Sequence, residues 1–160
     1  MPSKFGAIHL TPLSIAIITL FAPFGVAGTI IRLAKLKKLV SVQFQGCHGL
    51  VGNVAVLANF KSLWLINFEG CSLSGHIRCL EQLTALATVN FNDCYDLQGS
   101  LHDLRYLTGL SDLSLRKCAH IEGDLDMLDR LNQLNVLNLS GCTRLEGYVP
   151  GSRENPKKQW

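Results

Sequence analysis

Five cysteines, and the histidines close to two of them, are where chemistry would first be sought. Cys47, Cys71, Cys94, Cys118 and Cys142 recur at intervals of 24, 23, 24 and 24 residues. His48 directly follows the first, and His120 lies two residues after the fourth. A thiol beside an imidazole is the pairing of a cysteine nucleophile, which needs an accessible thiolate. Each of these cysteines sits among the same leucines, so the five are expected to form a buried ladder of small hydrophobes without that access. Cys79 falls outside the interval and is expected on the outer face as a surface thiol. No C-x-x-C, H-E-x-x-H, phosphate loop or nucleophile elbow occurs. His76 and His102 have no carboxylate or cysteine set that would complete a metal site. The chain is therefore read as non-catalytic, with no cofactor and no metal.

What must position the cysteines is a repeat. The stretch Leu110–Leu125 reduces to L-x-x-L-x-L-x-x-C-x-x-I-x-G-x-L, and its glycine recurs as Gly52, Gly75, Gly99, Gly123 and Gly147. A fixed period in the 20s is the mark of a solenoid, in which a unit buries its apolar side only by stacking on its neighbours. The units run from Leu39, Leu63, Leu86, Leu110 and Leu134. In each, Leu-x-x-Leu-x-Leu alternates like a strand. Crossovers of about 20 residues make successive strands parallel. The spacing of three in Gly-x-Leu-x-x-Leu-x-x-Leu suits a helical or 3₁₀ turn on the opposite side. The expected fold is thus an α/β solenoid. A chain that is 48% hydrophobic and only 17% charged fits one continuous core. The net charge of +3 comes mainly from two basic clusters, Arg32/Lys35/Lys37/Lys38 and Arg153/Lys157/Lys158. The signs between are mixed, which leaves no basic stripe for nucleic acid.

The two ends differ from the array at 28–149. Residues 5–31 carry no Asp or Glu, and no Lys or Arg. That run is long enough for a membrane anchor and contains the elements of a secretory signal. However, Ile15, Ile18, Leu20, Val26 and Gly28 also fit the repeat, with Pro23 where its cysteine should be. Segment 1–27 is accordingly expected to be a degenerate capping repeat, the alternative being a signal or anchor. Membrane contact is expected only in the second case. Segment 150–160 reads as a polar tail, which leaves the last strand, Val136–Ser140, with an open edge. Ladder neighbours about 4.8 Å apart with parallel side chains are poorly set for disulfides. Free thiols in turn favour a reducing, cytoplasmic compartment, the alternative being a membrane-anchored or secreted protein.

The five registered copies resemble the leucine-rich repeat family, whose consensus is L-x-x-L-x-L-x-x-N/C-x-L. The L-x-G continuation, seen best in Cys71-Ser-Leu-Ser-Gly-His-Ile77, looks like the subtype of plant receptor-like proteins. That resemblance implies a short arc with a parallel β-sheet on the concave face and turns or short helical segments on the convex face. It also implies a non-catalytic protein–protein interaction module, or the ectodomain or a fragment of a membrane-anchored receptor-like protein. An enzyme or an ice-binding solenoid is a remote alternative. The partner is an unidentified protein or peptide, expected on the concave face at Asn67, Glu69, Asn90, Asn92, Asp93, Asp112, Ser114, Arg116 and Lys117.

Overall fold

The alternation Leu-x-x-Leu-x-Leu drives the first half of every coil into extended backbone, because only a strand puts its leucines on one side and its polar residues on the other. The computed structural model describes residues 16–19, 27–36, 38–147 and 158–159. Strands β1 (Ala16–Thr19), β3 (Leu39–Gln43), β5 (Leu65–Asn67), β7 (Thr88–Asn90), β9 (Asp112–Ser114), β11 (Val136–Asn138) and β13 (Lys158–Gln159) form one seven-stranded sheet in that order. All its pairings are parallel, and Ile18, Val42, Ile66, Val89, Leu113 and Leu137 stand in register across it as a buried column. The face opposite carries Gln43, Asn67, Asn90, Ser114 and Asn138 in the same register. The fold is a short leucine-rich-repeat solenoid arc with this sheet on its concave face.

A second sheet stands where only turns or short helical segments were expected after each cysteine. Strands β2 (Ala27–Thr29), β4 (Gly49–Asn53), β6 (Ser72–His76), β8 (Asp96–Ser100), β10 (His120–Asp124) and β12 (Arg144–Glu146) make six parallel strands. The 3₁₀ helices Ile30–Lys35, Val54–Asn59, Ile77–Leu80, Leu101–Leu104 and Leu125–Arg130 then return the chain, as the spacing of three requires.

The recurrent glycine belongs to this junction. Thr29, Asn53, His76, Ser100 and Asp124 cap the five 3₁₀ helices, each accepting the backbone N–H two residues on. The next unit's glycine lies directly over the cap. At Gly99 the backbone has φ +135°, and an added Cβ would stand 2.8 Å from the His76 ring. Both the angle and the space demand the missing side chain.

Between the sheets lies one core. Phe44, Phe68 and Phe91 stack with ring centroids 5.5 and 6.0 Å apart, and Leu115 and Leu139 continue their position in the repeat. Such ring pairs contribute about 0.5–1.5 kcal/mol each beyond the area they bury. Next to them, the Cys71, Cys94, Cys118 and Cys142 thiols donate to the carbonyls of Phe44, Phe68, Phe91 and Leu115 one unit back, at 3.0–3.1 Å. Each of the first three carbonyls also accepts the backbone N–H of its own unit's cysteine, so the thiol uses a second lone pair. The same two acceptances meet at Leu115.

The ends bear on the core as follows. Of the run 5–31, residues 5–15 and 20–26 lie outside the described residues. Ile18 is buried opposite Val42, in the register of the repeat. Among the described residues no helix is long and apolar enough to cross a membrane. At the other end the edge of β11 is not open: Leu137 pairs with Lys158 and Asn138 with Gln159.

Candidate functional site

The candidate residues lie where β5, β7 and β9 end and turn toward the second sheet. That turn needs a left-handed residue, and the sequence supplies Gly46, Gly70 and Gly141 there in three units. In the other two it supplies Asp93 (φ 59°) and Lys117 (φ 61°), which hold side chains in a conformation that costs a non-glycine residue about 1 kcal/mol. Asp93 gathers the group. Its carboxylate accepts from the Arg116 guanidinium, from Lys117 Nζ at 3.1 Å and from the Tyr95 hydroxyl at 3.2 Å. Desolvation pushes this carboxyl up, but the bonds from Lys117, Arg116 and Tyr95 outweigh it and hold it below the usual carboxylate range.

The amides do a second job. Asn67 and Asn90 accept the backbone N–H of Glu69 and Asn92, and Asn92 accepts that of Arg116 at 2.9 Å. Gln45 and Asn90 both donate to Glu69 Oε2, at 3.0 and 3.1 Å. Eight of the nine expected residues are thereby tied into two groups or stand beside them. Glu69, Asn67 and Asn90 form one; Asn92, Asp93, Arg116 and Lys117 the other, with half-buried Ser114 adjacent in β9. Asp112 stands apart, paired with Ser111 at the start of β9.

Sequence reasoning missed residues on the same side of the fold. Trp64 is 46% exposed just before β5, beside half-buried Leu65. Ser41, opposite Ile17 and Leu65, is buried, and its hydroxyl has no hydrogen-bond partner among the described residues. His48 and Tyr95 border a cavity of about 370 Å³ together with Glu69 and Asp93. The signal for Trp64 was present as a large aromatic between the first leucine of its unit and the strand. The cavity had none, because residues of three successive units line it together.

The thiols offer no nucleophile. Burial pushes Cys71, Cys94 and Cys118 up to about 12 and Cys142 to about 11. The expectation of Cys79 as a surface thiol is corrected. It is half-buried against the core, donates to Val54 O at 3.3 Å, and desolvation raises it to about 12. His48 turns its Nδ1 to Gly70 O at 2.7 Å. Among the described residues no group of three or more His, Cys, Asp or Glu could hold a metal ion.

No family model matches the chain. No curated protein matches it either. Solved structures do. The plant peptide hormone receptor RGFR1, in complex with RGF2, superposes with TM-score 0.53 and 22% identity over 75% of this chain and 21% of its own. An internalin (inlF) from Listeria monocytogenes gives 0.50 and 20%, over 74% of this chain and 37% of its own. The leucine-rich-repeat ectodomain of the receptor kinase SOBIR1 from Arabidopsis thaliana gives 0.51 and 25%, over 78% and 68%. The chain thus spans about a fifth of the hormone receptor's length. Its architecture is that of the leucine-rich-repeat solenoids.

Proposed function

We propose that the chain is a non-catalytic protein- or peptide-binding module of the receptor-ectodomain kind, and that its partner rests on the concave sheet. The observation that carries this reading is the likeness to the SOBIR1 ectodomain over 78% of the chain. The side chains support the choice of face. Asn67, Glu69, Asn90, Asn92, Asp93, Ser114, Arg116 and Lys117 lie on or just after three adjacent strands, about 4.8 Å apart. Hydrogen bonds fix their positions before any partner arrives, which lowers the entropy lost on binding. Arg116 remains 40% and Lys117 52% exposed while paired. Segment 1–27 we read as a degenerate first unit, since β1 continues the register of the sheet.

With this reading goes a secreted or membrane-anchored location. The argument for the cytoplasm rested on unpaired cysteines. Five of the six thiols are buried, so their free state reflects packing and says little about the redox compartment.

The test is a displayed peptide library panned on the whole chain, with the captured peptides then measured against variants. Arg116→Glu with Lys117→Glu should weaken binding at least tenfold, about 1.4 kcal/mol. Arg78→Glu, on a 3₁₀ helix of the other side with its side chain 72% exposed, should leave binding unchanged. Thermal melting checks that each variant folds, and Arg116→Gln with Lys117→Gln replaces the reversal if it does not. Binding that survives both concave variants and fails with Arg78→Glu would overturn the choice of face.

A further inference from the structure

The cavity beside the concave sheet is built from acceptors. Gly46 and Gly70 occupy the left-handed positions that Asp93 and Lys117 fill in later units, the His48 ring packs where a Gly70 side chain would begin, and the open space lies between these residues, Glu69, Asp93 and Tyr95. On one wall stands Glu69. Its Oε2 is held by Gln45 and Asn90, and its Oε1 has no hydrogen bond to any described residue. No cation pairs with Glu69 among the described residues, whereas Asp93 on the far side is already matched by Arg116 and Lys117. A second wall is His48. Its Nδ1 faces a carbonyl, which can only accept, so Nδ1 carries a proton, and in that tautomer Nε2 is a further acceptor. The third is Tyr95, 57% exposed and held by its hydroxyl bond to Asp93. No Lys or Arg lines the cavity.

A fixed carboxylate, a second acceptor and an aromatic face around one open space match one common side chain best. We infer that this cavity receives an arginine side chain of the partner. A guanidinium offers five donors in a planar fork to the acceptors and can stack on the tyrosine. An ammonium has no plane to stack and would use fewer of the acceptors. Because Gln45 and Asn90 hold Glu69 in place beforehand, little side-chain freedom is lost when the cation enters. This assignment rests on the reading of the neighbouring sheet as a partner-binding surface and names one feature of that partner.

The experiment is a titration of the isotope-labelled whole chain by nuclear magnetic resonance, using Nα-acetyl-argininamide as the probe. The amides of Gly46, Gly70 and Tyr95 should shift and saturate with a Kd of about 1 mM, the scale for a fragment of this size. Nα-acetyl-citrullinamide, which keeps the shape but not the charge, should bind at least about tenfold more weakly. Glu69→Gln, whose amide oxygen can still accept from Gln45 and Asn90, should weaken the arginine probe by a similar factor, and Tyr95→Ala should weaken it several-fold. The assignment is overturned by no saturating shift up to about 20 mM, by an equal response to citrulline, or by an unchanged Kd in Glu69→Gln. Equal binding of Nα-acetyl-lysinamide would overturn the choice of guanidinium. Any of these failures would leave the capture experiment at Arg116 and Lys117 untouched, and failure of that capture would leave this titration as it stands.

Discussion

Single residues carry the departures from an ideal repeat, and Ser41 is the plainest. Its neighbours across the sheet are Ile17 and Leu65, and the buried hydroxyl has no partner among the described residues. A buried hydroxyl without a partner destabilises by about 1–3 kcal/mol. Ser41→Ala should therefore raise the denaturant midpoint at unchanged slope, by about 1 kcal/mol after allowing for the lost contacts. A lower midpoint would show that the hydroxyl is satisfied in solution. Asp93 and Lys117 are the opposite case. They accept an unfavourable backbone angle, and the pairs of Asp93 with Lys117 and Arg116 return only part of it, because such exposed pairs contribute about 0–1 kcal/mol. Their charges were legible in the sequence as a cluster. That they replace glycine at a left-handed turn was legible too, by alignment with Gly46, Gly70 and Gly141. The cavity by Glu69 was not, since its lining is assembled from three successive units.

At the level of the element, one strand of each coil could be read and the other could not. Leu-x-x-Leu-x-Leu shows two inward leucines in alternation, so β5, β7 and β9 announce themselves. In β4, β6 and β10 only one inward position holds an apolar side chain; two residues on, the inward place belongs to a glycine at positive φ. A strand with half its alternation missing reads as a turn. Cys79 was misjudged for a related reason, because a four-residue 3₁₀ helix gives too little pattern to say which side faces the core. The glycines make the element-scale prediction. Gly99→Ala puts a Cβ against the His76 ring and forces a strained φ, and should cost about 3 kcal/mol. Gly109→Ala meets nothing nearer than 3.9 Å and should stay within about 0.5 kcal/mol. Equal midpoints in urea would remove the cap-to-glycine contact from the account of the repeat.

For the whole molecule, the stacked thiols couple stability to pH. Burial raises them to about 11–12, while an unfolded chain holds cysteine near about 8.5. The folded state therefore binds these protons more tightly. Its advantage is complete below about pH 8.5 and is lost as pH rises toward 12. Each thiol contributes a slope of up to roughly 1.4 kcal/mol per pH unit, and five acting together make alkaline unfolding steep. Urea midpoints measured from pH 7 to 11 under reducing conditions should show this, and Cys94→Ala should flatten the slope by about one proton. A flat profile would mean that the thiols are accessible to water. The architecture itself was legible from the period alone, because a solenoid writes its fold once per unit. The cap-to-glycine contact has a further meaning for how such a chain can change. The five caps are five different residues, and each meets a glycine of the next unit. Units that touch through so undemanding a seam are interchangeable parts. Duplicating or losing one whole unit still leaves every cap facing a glycine, so an array of this kind can lengthen or shorten in steps of 23 or 24 residues without a new core having to be invented.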